Sequence, residues 1–207
     1  MDISSTRVST IGGKQLKTLT KKKRLAHFGI GCAMFLGLFL AGTLTPLTAE
    51  EATMLLTEMA KATEALAEEI DPIFIAVHNI SIAMPMFIPG FGTLWGDFAG
   101  YQTGLLISAM ANEIDGFEAW MGLSLFITPV GILELAAYAL AMSRSWLWAR
   151  ILLKKAYRTR ENLKAMIRPT IIEIIIMVSL LVIGGYVEMW MINEFGSESL
   201  TLLDKYR

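Results

Sequence analysis

Cysteine and histidine are nearly absent from this chain. The single Cys32 lies inside an apolar run, so no intramolecular disulfide is possible, and no base stands near it in sequence to make it a nucleophile. His27 and His78 are too few for a histidine-rich metal site. There is no His-Glu-x-x-His metal motif and no Gly-x-Ser-x-Gly nucleophile elbow. The chain is therefore expected not to be an enzyme and to carry neither a metal nor another cofactor. Charge is also scarce where it matters. Basic residues are missing from the long apolar runs: of the 18 Lys and Arg, 15 fall in two blocks, 1–24 and 144–168. The 13 methionines suit adaptable helix packing better than metal ligation.

What is present is apolar length. Hydrophobic residues make up 54% of the 207, above the 45–50% or so of soluble domains, and they cluster in runs of about 20. The composition predicts an all-α, polytopic, multi-pass cell-membrane protein: one helical bundle of about five transmembrane helices. The basic tail 1–24 ends in Lys21, Lys22, Lys23 and Arg24, which places the N-terminus in the cytoplasm by the positive-inside rule. The membrane domain is 25–192, with spans near 25–47, 72–90, 92–111, 119–142 and 169–191. An outer tail, 193–207, follows. The first run is too long for a signal-peptide core and lacks a good cleavage site, so it reads as a retained anchor. Its Ala33, Gly37 and Ala41 repeat every four residues, a small face for packing.

Between the first two spans, 49–71 holds seven acidic residues and one Lys, with Leu55, Leu56, Met59, Ala62, Leu66 and Ile70 near a 3.6-residue period. This predicts an acidic amphipathic helix on the outer side, packed on its own domain or offering its stripe to a partner. The second basic segment, 143–168, alternates charge with Leu and Ile, and predicts a helix along the cytoplasmic membrane surface. Topology already requires those charges, so no nucleic-acid partner is expected. Pro72 suits a helix start, Pro85 a kink or stop, and Pro89-Gly90 a turn.

The chemistry-bearing positions are few. Glu134 sits within TPVGILELAAYALAM, where a carboxylate facing lipid would cost about 2.5–3.5 kcal/mol, so it is expected to face other helices. Asn79, Glu134 and Glu188 form the expected intramembrane polar network. Pro129 should bend the fourth span one turn before Glu134. On the cytoplasmic side Asp97 and Glu173 are expected to pair with basic residues such as Arg144 and Arg168. Gly92, Gly96, Gly100 and Gly104 recur every four residues and, with Gly131, mark helix-packing positions.

These residues together resemble the stage II sporulation protein M family. The resemblance is carried by His78-Asn79 ahead of the glycine-rich 90–104 segment, by Thr128-Pro129-Val130-Gly131-Ile132-Leu133-Glu134-Leu135, and by Gly184-Gly185-Tyr186-Val187-Glu188. The family pattern has a Pro-His-Gly-x-x-Glu core in the fourth span and a Glu late in the last. Glu134 and Glu188 match it, and Val130 stands where the family has His. The resemblance covers about 25–192 and implies the five-span fold. It also implies a membrane scaffold that packs with or recruits other membrane or envelope proteins; in spore formers those partners include cell-wall hydrolases. Membrane lipid and a second copy of the chain complete the expected partners. The alternative reading is a small transporter or channel component that uses Glu134 as an ion or proton site.

Overall fold

The computed structural model describes residues 21–66, 71–114, 116–153 and 160–195. Most of the basic tail, the outer tail from residue 196, and Lys154, Lys155 and Arg158 lie outside the described residues. Every described element is helical. In order they are α1 (Lys21–Thr43), α2 (Ala49–Leu66), α3 (Pro72–Ala83) with a 3-10 turn at Met84–Phe87, α4 (Phe91–Glu113), a 3-10 segment (Ala119–Ile127), α5 (Pro129–Leu153) and α6 (Arg160–Phe195).

Local chemistry sets the helix starts. Thr48 and Glu51 form a reciprocal capping box on α2. The Thr48 backbone N–H and hydroxyl both donate to Glu51 Oε2, at 2.9 and 2.8 Å, and Glu51 N–H donates back to Thr48 Oγ1 at 3.3 Å. The bond from the Thr48 N–H, and after it the hydroxyl, holds the Glu51 carboxyl below its ordinary range. Asp71 caps α3 by accepting from Phe74 N–H at 2.6 Å, and Pro72 takes the first helical position.

Two helices, Arg24–Thr43 and Leu163–Glu194, are long and apolar enough to cross a membrane. A third qualifies if the 3-10 segment and α5 count as one span, although they meet at 82°. Pro72–Phe87 is a shorter apolar helix. α4 has 23 residues, but its Gly, Asp, Gln and Thr dilute the apolar signal. Length and composition thus give two to three candidate spans where five were expected.

Three boundaries differ from the sequence reading. The fourth span, expected over 119–142 with a bend at Pro129, is divided at Thr128-Pro129 into a 3-10 segment and a helix that meet at 82°. Proline lacks the N–H that would continue the helix, and the residue before it is pushed out of helical conformation. α5 then runs on to Leu153, so 143–153 is not a surface helix: Arg144, Ser145, Leu147, Ala149 and Ile151 are buried. The last helix begins at Arg160, nine residues before Pro169, and passes through that proline. Packing carries it across: Trp148 Nε1 donates to Thr170 Oγ1 at 2.9 Å, and Thr170 Oγ1 donates to the Met166 carbonyl at 2.7 Å.

The main core gathers Phe35, Met86, Tyr138, Met142, Met177 and Leu181 from α1, the Met84–Phe87 turn, α5 and α6. α1 and α4 run parallel and in close contact, since a Cβ on Gly100 would meet Phe35, one on Gly104 would meet Phe39 and Thr43, and one on Gly42 would meet Tyr101 and Leu105. The packed face of α1 is thus Gly31, Phe35, Phe39 and Gly42. The predicted small face of Ala33, Gly37 and Ala41 points outward, exposed. α2 packs on its own domain: Ala52 and Leu56 are buried against Ala109 of α4.

Candidate functional site

Side chains of α1, α3, α4, the 3-10 segment and α6 converge on Glu134 of α5. It enters the first turns of α5 just after the bend, and the bend depends on small groups. Thr128 Oγ1 donates to the Leu125 carbonyl at 2.6 Å and accepts from Gly131 N–H at 3.0 Å, capping the helix. A Cβ on Gly131 would collide with the Leu125 carbonyl. Gly131 therefore makes room for the preceding 3-10 segment to fold back closely against α5.

From that turn Glu134 reaches α3, where Asn79 Nδ2 donates to its Oε1 at 2.7 Å. Glu134 and Asn79 line a cavity of about 650 Å³, and Glu188 of α6 lines the same cavity. The three residues of the expected polar network thus share one site. Tyr138, one turn beyond Glu134 on the same helix face, also lines it, as do Trp95, Gln102 and Thr103 of α4. Sequence reasoning missed all four. The i, i+4 spacing from Glu134 was the available signal for Tyr138. Trp95 is fixed by its Nε1–H, which donates to the Ile82 carbonyl at 3.0 Å. Phe35 and Phe126 close the inner wall, edge-to-face with centroids 6.2 Å apart.

A second polar cluster lies at the opposite end of α6. Arg144 makes a two-pronged pair with Glu173: Nε donates to Oε2 at 2.6 Å, and Nη2 donates to Oε1. Arg24 joins from α1, its Nε donating to Oε1 at 2.9 Å. Arg144 is only 4% exposed. Glu173 thereby ties α1, α5 and α6 together, and it brings both basic blocks to one end of the bundle. Fifteen residues, roughly 22 Å of helix, separate it from Glu188. Arg24 was not anticipated as the second partner, although it closes the basic tail where the first apolar run begins.

Two expected charge partners do not take part. Arg168 is exposed and joins no ion pair among the described residues. It lies five residues before Glu173, about 140° around the helix, and so projects from another face. Asp97 Oδ1 is buried without a hydrogen-bonding partner, and no basic residue pairs with it among the described residues. It stands one turn before Gly100, on the side of α4 turned to α1, whereas Arg24 and Arg144 are committed to Glu173.

The glycines of α4 divide their work. Gly92 backs onto the Met86 carbonyl of the preceding turn, Gly96 faces the Met142 side chain of α5, and Gly100 and Gly104 face α1. A four-residue repeat advances about 40° per step on a 3.6-residue helix, so the row winds from one neighbour to the next. Ser108 extends it, donating to the Thr45 carbonyl at 2.8 Å.

A profile of the stage II sporulation protein M family matches residues 26–191. The chain belongs to that family. The match takes in every residue of the cavity except Ile192 at its rim, and both carboxylates lie within it. No curated protein and no solved structure matches the chain. Family membership, with helices able to span a bilayer, marks a membrane protein.

Proposed function

We propose that this member of the stage II sporulation protein M family is a multi-pass cell-membrane scaffold. In this reading α1, α3 with its 3-10 turn, α4, the bent pair and α6 each cross the membrane. The end bearing Arg24, Arg144 and Glu173 is cytoplasmic, which puts the N-terminus inside and the C-terminus outside. The glycines that lower the hydropathy of α4 are buried against its neighbours, an environment in which hydropathy is a poor guide.

The observation that carries the scaffold reading is the outward face of α1. Gly29, Ala33, Gly37 and Ala41 are exposed, and a Cβ on Gly29 or Gly37 would meet nothing within 4 Å. The opposite face of the same helix is closed: a Cβ on Gly31 would sit 2.9 Å from the Ala139 carbonyl. A small-residue stripe turned to lipid lets a further helix approach closely. The exposed Glu50, Glu51 and Glu58 of α2 give the same protein an acidic outer surface for an envelope partner, and cell-wall hydrolases are the class the family suggests.

The test is recovery of the intact complex from native membranes, with the unaltered chain and with Gly29→Leu/Gly37→Leu. The scaffold reading predicts a defined set of co-purifying membrane proteins, or a cross-linked second copy, that the double variant loses while it still accumulates folded. Identical recovery from both chains refutes it.

A further inference from the structure

The Glu134–Glu188 cavity has the chemistry of a receptor, and none of it is needed for a scaffold. Its volume, about 650 Å³, lies in the range of small-molecule sites, and its walls are mostly apolar with a few convergent polar groups. Two carboxylates line it, and none of its described lining side chains is basic. Among the described residues only one of the two has a hydrogen bond from a neighbouring helix, the Asn79–Glu134 bond at 2.7 Å. Five aromatic side chains, Phe35, Trp95, Phe98, Phe126 and Tyr138, stand among the remaining lining residues. Carboxylates with aromatic faces attract a cation that also carries apolar surface, through charge and through the ring quadrupoles. An inorganic divalent ion fits poorly, because no group of three or more His, Cys, Asp or Glu able to hold one occurs among the described residues. The rim is open sideways: Phe98, Gln102, Thr103, Leu125 and Ile192 line the cavity and are exposed on the bundle surface. A ligand dissolved in the bilayer can enter there.

The geometry points to a binding site for a lipophilic organic cation, an ammonium group on an apolar body, with Glu134 and Glu188 as counter-charges and the aromatic wall around its substituents. The site is separate from the outer face of α1 and stands or falls independently of what that face recruits.

The test uses the full chain in detergent micelles, with benzyltrimethylammonium as probe and its neutral shape analogue 2,2-dimethylpropylbenzene as comparison, each corrected for partition into empty micelles. Calorimetric titration is expected to show saturable binding of the cation. The neutral analogue, and the cation on Glu134→Gln/Glu188→Gln, should each lose about tenfold or more, the loss expected on removing a contact to a charged group. The glutamine at 134 keeps an oxygen for Asn79. Should that variant fail to fold, the unaltered chain decides. Labelling of Glu134 and Glu188 by a hydrophobic carbodiimide, mapped by mass spectrometry, should be slowed by the cation and not by the neutral analogue. Equal binding of cation and analogue, or labelling that the cation leaves unchanged, overturns the proposal.

Discussion

The same Gly→Ala change should have opposite signs on two glycines of the α1–α4 pair. At Gly104 a methyl group would sit 2.8 Å from Thr43 N and 2.9 Å from Phe39 C, with the Phe39 carbonyl oxygen closer still. Ordinary contact begins near 3.4 Å and the Phe39 carbonyl oxygen is the nearest obstacle, so the helices must part by well over the roughly 0.6 Å that Thr43 N alone would require, and backbone atoms cannot rotate aside as a side chain does. Overpacking of this kind costs about 1–3 kcal/mol, and the upper half of that range applies because the obstacle is a helix backbone. Separation also loosens neighbours in register, since Gly100 meets Phe35 four residues earlier and Gly42 meets Tyr101. At Gly37 the same methyl meets nothing within 4 Å. There only the helix propensity changes, and alanine should stabilise by about 0.5–1 kcal/mol. The assay is reversible unfolding of each variant in mixed micelles, followed by far-UV circular dichroism. A gap between Gly104→Ala and Gly37→Ala of about 2 kcal/mol or more is expected. Equal changes at the two sites would refute the parallel α1–α4 contact.

Three further outcomes follow from the polar contacts. Glu173→Ala strands the buried Arg144 and half-buried Arg24 and should destabilise by about 3–5 kcal/mol in the same assay, whereas Arg168→Ala should be neutral. A double-mutant cycle on Asn79→Ala and Glu134→Ala should return a coupling of about 0.6–1.7 kcal/mol, from the mean to the maximum measured for interhelical hydrogen bonds in membranes; a value near zero would place the two residues apart. The Thr48–Glu51 box should respond to acid. The folded carboxyl titrates below its ordinary 4.5, so its contribution is fully present above that value and is lost as pH falls through the lower folded value. Amide hydrogen exchange in the first turn of α2 should therefore be faster at low pH than its intrinsic rate explains, and Thr48→Val should abolish the difference.

What could be read in the chain divides along a physical line. Helix existence was legible, because apolar runs and a helix-starting proline such as Pro72 act locally. The grouping of Asn79, Glu134 and Glu188 was legible too, since a carboxylate within an apolar run has to be turned inward. The direction of each face was not. Ala33, Gly37 and Ala41 carry the same four-residue signal as Gly96, Gly100 and Gly104, yet the former face outward and the latter touch neighbours. A small-residue repeat states that close approach is possible and leaves open which helix approaches.

The bend at Pro129 shows how a local reading and the tertiary result diverge. Proline favours a break, although α6 runs on through Pro169, and at Pro129 the break was expected as a kink within one crossing. The 82° angle arises from what surrounds it. Thr128 caps the new helix, Gly131 clears the Leu125 carbonyl, and Gly122 in the preceding segment presses on Ile107 of α4. Once the segment has folded over, Leu125 and Phe126 become wall of the cavity rather than a continuation of α5. The space below them is thereby left for Glu134. A straight helix over 119–142 would carry those side chains along the α5 axis and away from the cavity. Replacing Gly131 by leucine should therefore reach the cavity without touching Glu134: the fold-back has to open, the Leu125–Phe126 wall withdraws, and a cysteine placed at Gln102 becomes more reactive to a bilayer-soluble maleimide. Unchanged reactivity in a folded Gly131→Leu chain would mean that the bend and the cavity are independent features.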